Sequence, residues 1–187
     1  LATKAGIPTI PEFFNVQTAE RILHDHGQAK LICANHCCAH IDDFLGVVNG
    51  VKILLARDGV WIFEVGYLLD VYTNCLFDTI YHEHVDFHTV LPLIKCFESR
   101  GLKLLHASRS SIQGGALRCY VGWAEQTVRI DSTPESVQQL VHAEAAAALH
   151  VKDTFLDWNS SINQTGTEVK TLLSGLIRSG KRIVGYG

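Results

Sequence analysis

Apolar and polar positions along this chain follow two periods, and the switches between them mark its elements. "KLICANHCCAH" opens as a short β-prone run and passes into small and polar residues, the pattern of a buried parallel strand feeding a functional loop. From Asp42, "DDFLGVVNGVKILLARDG" sets Phe44, Val47, Val48, Val51, Leu54 and Leu55 at helical spacing, with Asp42 or Asp43 as N-cap and Gly59 as the stop. "VWIFEVGYL" then reads as a second buried strand. Strand, helix, strand is a βαβ unit, so the class is α/β, with a parallel sheet carrying helices on its faces.

Further on, "VLPLIKCFESRG" predicts an amphipathic helix closed by Gly101, and "LKLLHAS" a strand. "GGALRCYVGWA" predicts another strand, entered through a paired-glycine turn. After Ser132 the chain is mostly helical, with Thr133 before Pro134 as a natural N-cap and first-turn pair. "KRIVGYG" returns to strand. The change in pattern divides the chain into residues 1–131 and 132–187.

Composition narrows the function classes. Hydrophobic residues make up 47% of the 187 positions and the net charge is −3, so there is no general nucleic-acid surface built from clustered Lys and Arg. The longest apolar stretches fall well short of the roughly 20 residues that cross a bilayer. Six cysteines, mainly in apolar runs and without the spacing of a secreted scaffold, read as buried thiols in a reducing cytoplasm. The chain contains no methionine and stops where a strand would turn, which reads as a piece of a longer protein.

The densest chemistry lies in "FDTIYHEHVDFH", residues Phe77 to His88. A metal reading would combine it with "HCCAH", but Cys37 and Cys38 are adjacent rather than C-x-x-C, and no H-E-x-x-H occurs. A proton-transfer reading needs one imidazole with a group that fixes its tautomer, and a second group that stabilises oxyanion charge. Tyr81, Glu83 and His84 can fill these roles if the backbone turns; extended backbone would put His84 on the opposite side from the other two. His82, Asp86 and His88 individually read as solvated. His40 and Asn35 follow the first strand and Tyr67 the second, and ligands of open parallel sheets bind at such ends.

Four stretches then carry a resemblance: "IPTIPEFFN", "ANHCCAHIDDFLGVVNGVKILLARDGVWIFEVGYLLD", "FDTIYHEHVDF" and "IQGGALRCYV". In this order and near this spacing, the chain resembles the S-adenosylmethionine-dependent C-methyltransferases that act on nucleotide-linked keto-deoxysugars. The resemblance implies part of a Rossmann-like class I methyltransferase sheet, the following helices, and the first strand of a second Rossmann-like domain. It also implies methylation of a carbon next to a ketone, through a base-generated enolate. His84 would be the general base, Glu83 and Tyr81 would orient it or contact the sugar, and His40 would help at the keto oxygen. Asn35, Glu12 and Phe13 would meet the cofactor; Tyr67, Gln113, Gly114 and Gly115 would meet the substrate. The glycines would let backbone approach the sugar nucleotide.

Relatives usually carry His where Gln113 stands. The glycine-rich cofactor loop and a cysteine-rich zinc-binding part, which precede "IPTIPEFF" in the family, are absent from this sequence. The isolated chain is therefore expected to be inactive, with zinc only in the missing part and none bound here. Two other classes share some features. "KRIVGYG" is compatible with the opening of a dinucleotide site in an NAD-dependent oxidoreductase, and a noncatalytic binding module would keep the same fold.

Overall fold

A computed structural model describes residues 1–126 and 135–186. Helix α1 (Val16–His26) starts at Asn15, whose side chain accepts from the Thr18 amide at 2.9 Å. Strand β1 (Ala29–Asn35) follows, then helix α2 (Phe44–Leu54), strand β2 (Leu55–Gly66) and the short helix α3 (Leu68–Thr73). Helix α4 (Val90–Glu98) leads into strands β3 (Leu102–Ser110) and β4 (Ala116–Trp123), and helices α5 (Glu135–Ala146) and α6 (Lys152–Arg178) complete the molecule.

Asp43 caps α2, accepting from the Gly46 amide at 2.8 Å, as the spacing predicts. The helix does not run on to Gly59, however. It ends at Leu54, and β2 begins at Leu55 opposite Ala29. Between the pairs Ala29↔Leu55 and Leu31↔Val60 the register shifts, and β2 bulges toward its neighbour. Gly59 sits in that bulge: a Cβ there would stand 2.8 Å from the Ala29 carbonyl oxygen. This glycine therefore serves close strand approach instead of helix termination.

The strand order is β1-β2-β4-β3. Only β1 and β2 are parallel; β4 runs antiparallel to both β2 and β3, which corrects the expectation of a parallel sheet. The reason is the connection. Residues 111–115 join β3 to β4, whereas a parallel pair needs a crossover of about a dozen residues or more. β1 is also an edge strand, and it alternates between half-buried and exposed positions where a fully buried strand was expected. Residues 181–186 form no strand, since none of the four strands pairs with them. The Ser132 boundary and the Thr133–Pro134 cap lie outside the described residues.

Trp61 and Phe63, two apart on β2, share a face and stack at 4.6 Å between ring centroids. Phe44 of α2 and Phe97 of α4 close on them from 5.8 to 6.3 Å. Burial of large apolar side chains such as these contributes about 1.5–3 kcal/mol each, which fixes both helices to the sheet. α5 joins the same core through Leu140. Helices α2, α4 and α5 thus share one core with the sheet, and the polar cluster lies at the end where β1 and β2 finish and β4 begins.

Candidate active site

The turn after α3 brings the histidine cluster over the strand ends. The His84 amide donates to the Tyr81 carbonyl at 3.1 Å, so the backbone turns rather than extends. That choice, left open by the sequence, puts the Tyr81 and His84 rings 4.6 Å apart. A second anchor comes from the Val85 amide, which donates to the Ala39 carbonyl at 3.0 Å and ties the cluster to the loop after β1. His40 from that loop lies 4.9 Å from His84, centroid to centroid.

Each of these imidazoles has one nitrogen committed to a backbone carbonyl. His84 Nδ1 is 2.7 Å from the Thr79 oxygen, and His40 Nδ1 is 2.7 Å from the Glu83 oxygen. A carbonyl only accepts, so Nδ1 must carry the proton in both rings, and Nε2 of each neutral ring is a bare acceptor. The expected partner, the Glu83 carboxylate, is elsewhere. It reaches toward the exposed Tyr81 hydroxyl at 3.5 Å, the outer limit of a hydrogen bond.

Between the strand ends and the cluster lies a cleft whose open space of about 550 Å³ runs out into solvent. His36, His40, His84, Asp86 and Gln113 supply its polar lining, with Gly66 and Gly115 at its backbone wall. Of the expected site residues, His84, His40, Gln113 and Gly115 therefore meet here. Tyr81 and Glu83 lie outside the cleft on the exposed side of the turn. Asn35 ends β1 next to His36 and is exposed. Glu12 pairs with Arg21 at 2.8 Å, and Phe13 is 90% exposed. These three form no cradle for a cofactor among the described residues, and no step is assigned to them.

Tyr67 is fully buried, unlike a substrate contact. Its hydroxyl donates to Glu144 Oε1 at 2.8 Å, and burial, then the Glu144 charge, push its ionisation well up. The glycine pair also has a local reason. Gly114 (φ 85°) and Gly115 (φ 143°) occupy backbone regions that side chains rarely adopt. A Cβ on Gly115 would lie 2.2 Å from the Asp70 Cβ, and one on Gly114 2.7 Å from a Leu76 methyl. The chain's own packing thus requires both glycines, whatever approaches from the cleft.

Sequence reasoning passed over three groups. His36 follows β1 with φ 51° and places Nε2 2.8 Å from Oε1 of buried Glu64, whose Oε2 accepts from Arg118 at 2.7–2.8 Å. The signal was present: Glu64 interrupts an apolar strand, and a carboxylate inside a sheet needs partners. Asp86, read as solvated, lines the cleft. His88, also read as solvated, is buried against the Phe44 ring at 5.0 Å, and burial lowers its pKa.

All six cysteines are unpaired thiols, but only Cys38 and Cys119 are buried, fewer than the sequence suggests. Beside the cleft, a hydrogen bond from Cys38 pulls Cys37 down to about 6. Among the described residues no three His, Cys, Asp or Glu side chains converge as metal ligands. No helix among them is long and apolar enough to cross a membrane.

Comparison with known proteins finds likeness to C-methyltransferases. Residues 111–187 match the model of the C-methyltransferase C-terminal domain. The whole chain is 31% identical over 187 residues to the C-methyltransferase NovU of Streptomyces niveus, of which it spans 44%. Two solved structures, both 14% identical, are also similar. One is a SAM-dependent methyltransferase from Anabaena variabilis, with a TM-score of 0.45 over 59% of this chain and 55% of that one. The other is an O-methyltransferase family protein from Burkholderia thailandensis, with a TM-score of 0.46 over 66% of this chain and 38% of that one. The chain is thus similar to C-methyltransferases along its whole length, with the C-terminal domain match confined to residues 111–187.

Proposed function

We propose that the protein containing this chain methylates a carbon next to the ketone of a nucleotide-linked deoxysugar, by way of an enolate formed in the cleft. The observation that carries this reading is the carbonyl-locked imidazole of His84 in the wall of that cleft. A carbon next to a ketone is no nucleophile until its proton is removed. Nε2 of neutral His84 is the acceptor for that proton, and the Thr79 carbonyl steadies the Nδ1–H side of the resulting imidazolium. As the C–H bond breaks, its electron pair moves toward the ketone oxygen, and His40 lines the same cleft. S-adenosylmethionine supplies the electrophilic methyl group when bound. Tyr81 and Glu83 act at one remove, since the turn they form carries His84 and the Glu83 carbonyl orients His40.

Within this reading, residues 1–131 are the C-terminal part of the methyltransferase domain. Residues 132–187 are the helical connection and the start of a C-terminal domain, with α5 fastened back onto the sheet. The nucleotide-linked substrate and the unpaired thiols favour a cytoplasmic enzyme. The chain spans less than half the length of the curated relative it matches, so the test belongs to the full-length protein. Incubated with methyl-labelled S-adenosylmethionine and a nucleotide-linked keto-deoxysugar, it should give a product whose new methyl is bonded to carbon by NMR. A methyl found on oxygen, or none transferred, would remove the reading.

A further inference from the structure

Three imidazoles line the cleft, and each neutral ring has its one N–H engaged by the chain itself. The Thr79 and Glu83 carbonyls accept from Nδ1 of His84 and His40, and Glu64 Oε1, 2.8 Å from His36 Nε2, keeps the proton of that ring on Nε2. The nitrogen left over on each neutral ring is a bare acceptor. Two other polar side chains of the lining add no donor: the Asp86 carboxylate accepts, and the Thr79 hydroxyl donates to the Leu76 carbonyl at 2.7 Å. A ketone oxygen that gathers negative charge in such a lining needs a donor.

Gln113 has two. Its side-chain amide carries both N–H groups without any titration, lines the same cleft, and makes no hydrogen bond among the described residues. Its backbone is also strained. With φ 51° and ψ 34° it stands in the left-handed region inside the turn between β3 and β4, which costs a non-glycine residue about 1–2 kcal/mol. The surroundings enforce that conformation. The Gly115 amide donates to the Ile112 carbonyl at 3.0 Å, the Tyr67 amide donates to the Gly115 carbonyl at 3.3 Å, and Gly114 and Gly115 close against Leu76 and Asp70. His36 shares the φ of 51°, but its ring is tied to Glu64, whereas nothing among the described residues uses the Gln113 amide. Strain held in this way gathers at functional sites.

We infer that Gln113 is a catalytic residue of the cleft, whose side-chain amide donates to the ketone oxygen of the substrate and stabilises the enolate. The inference rests on the enolate reading above and adds the donor that the three neutral imidazoles lack. In the step, His84 Nε2 takes the carbon-bound proton, the C–H electron pair becomes the carbon–carbon double bond, and the carbonyl pair moves onto oxygen. A hydrogen bond to the resulting anion is stronger than one to the neutral ketone, so the amide favours the transition state over the bound substrate. When the carbon takes the methyl group, the carbonyl reforms and Gln113 keeps both hydrogens.

Two measurements on the full-length protein test it. In Gln113→Met, which keeps the length of the side chain and removes the N–H groups, kcat for methylation and the rate of solvent-deuterium exchange into the nucleotide-linked keto-deoxysugar should both fall by about 10²–10³, the cost of removing one such donor. KM should stay within a few-fold of the parent. A raised KM with kcat retained would make Gln113 a binding residue only and overturn the proposal, as would slowed methylation with exchange at the parent rate. The second measurement reads the contact itself, by 13C NMR of substrate labelled at the ketone carbon and bound without S-adenosylmethionine. The parent should move that resonance downfield of its position in free substrate, and Gln113→Met should lose most of the displacement. No displacement in the parent would overturn the proposal independently of any folding defect in the variant, and so would an equal displacement in both proteins. Parent protein that neither exchanges nor methylates would remove the enolate reading itself, whereas a parent that does both beside an equally active Gln113→Met removes only this inference.

Discussion

His84 shows how a single local choice sets chemistry. The run "YHEH" contains a carboxylate next to the imidazole proposed as base, and proximity in sequence makes Glu83 the natural orienting partner. The turn from Tyr81 to His84 sends that carboxylate outward and brings the Thr79 carbonyl, five residues back, to the ring. Backbone carbonyls leave no trace in residue type, so this partner was not legible in the sequence, although the histidine cluster was. His88 illustrates the opposite error, a polar residue read as solvated because its neighbours are polar. Phe44, distant in sequence, covers it. Burial lowers its folded-state pKa below the ordinary 6.5, so the folded ring stays neutral while the unfolded one takes up a proton. Below pH 6.5 the unfolded state binds more protons, and stability falls with pH by up to about 1.4 kcal/mol per unit until the folded ring also titrates. Urea denaturation of His88→Phe between pH 7 and 5 should show a weaker loss than the parent; parallel losses would refute the assignment. At Gly115 the prediction is steric. Gly115→Ala combines a φ of 143° with overlap on Asp70 and should cost more than about 3 kcal/mol in the same assay, while a neutral result would contradict the turn described.

At the scale of elements, periodicity identified α2, α4, β3, β4 and the glycine turn, because each is governed by local propensity and by one buried face. It overran the end of α2, where Leu54 and Leu55 are both buried and both apolar while only the second pairs with β1. It could not reveal how α4 is capped. Thr89 makes no side-chain cap; instead Glu144 of α5 accepts from the amides of Val90 at 2.6 Å and Leu91 at 3.4 Å, as well as from the Tyr67 hydroxyl. A carboxylate at the amino end of α4 also meets its dipole favourably. One side chain thus joins α5, α4 and the residue that follows β2. Glu144→Ala leaves three buried or part-buried donors unpaired and should destabilise by about 2–4 kcal/mol, against about 1 kcal/mol for Tyr67→Phe, which leaves the backbone donors satisfied. Equal costs in thermal or urea unfolding would show that capping of α4 contributes nothing.

For the molecule as a whole, the class followed from sequence, and so did the gathering of the candidate cluster near the strand ends, because a βαβ unit places its loops at one end of the sheet. The antiparallel half did not follow, since strand direction depends on connection length as much as on pattern. What emerges is a mixed sheet whose β1–β2 end is roofed by the "YHEH" turn, with three imidazoles around one cleft. The central claim is that this roof removes a proton from carbon. The most direct measurement is solvent-deuterium exchange at the acidic position of a nucleotide-linked keto-deoxysugar, followed by NMR with full-length protein and no S-adenosylmethionine. The account predicts exchange by the parent and its loss in His84→Ala. Exchange at the parent rate in that variant would contradict it.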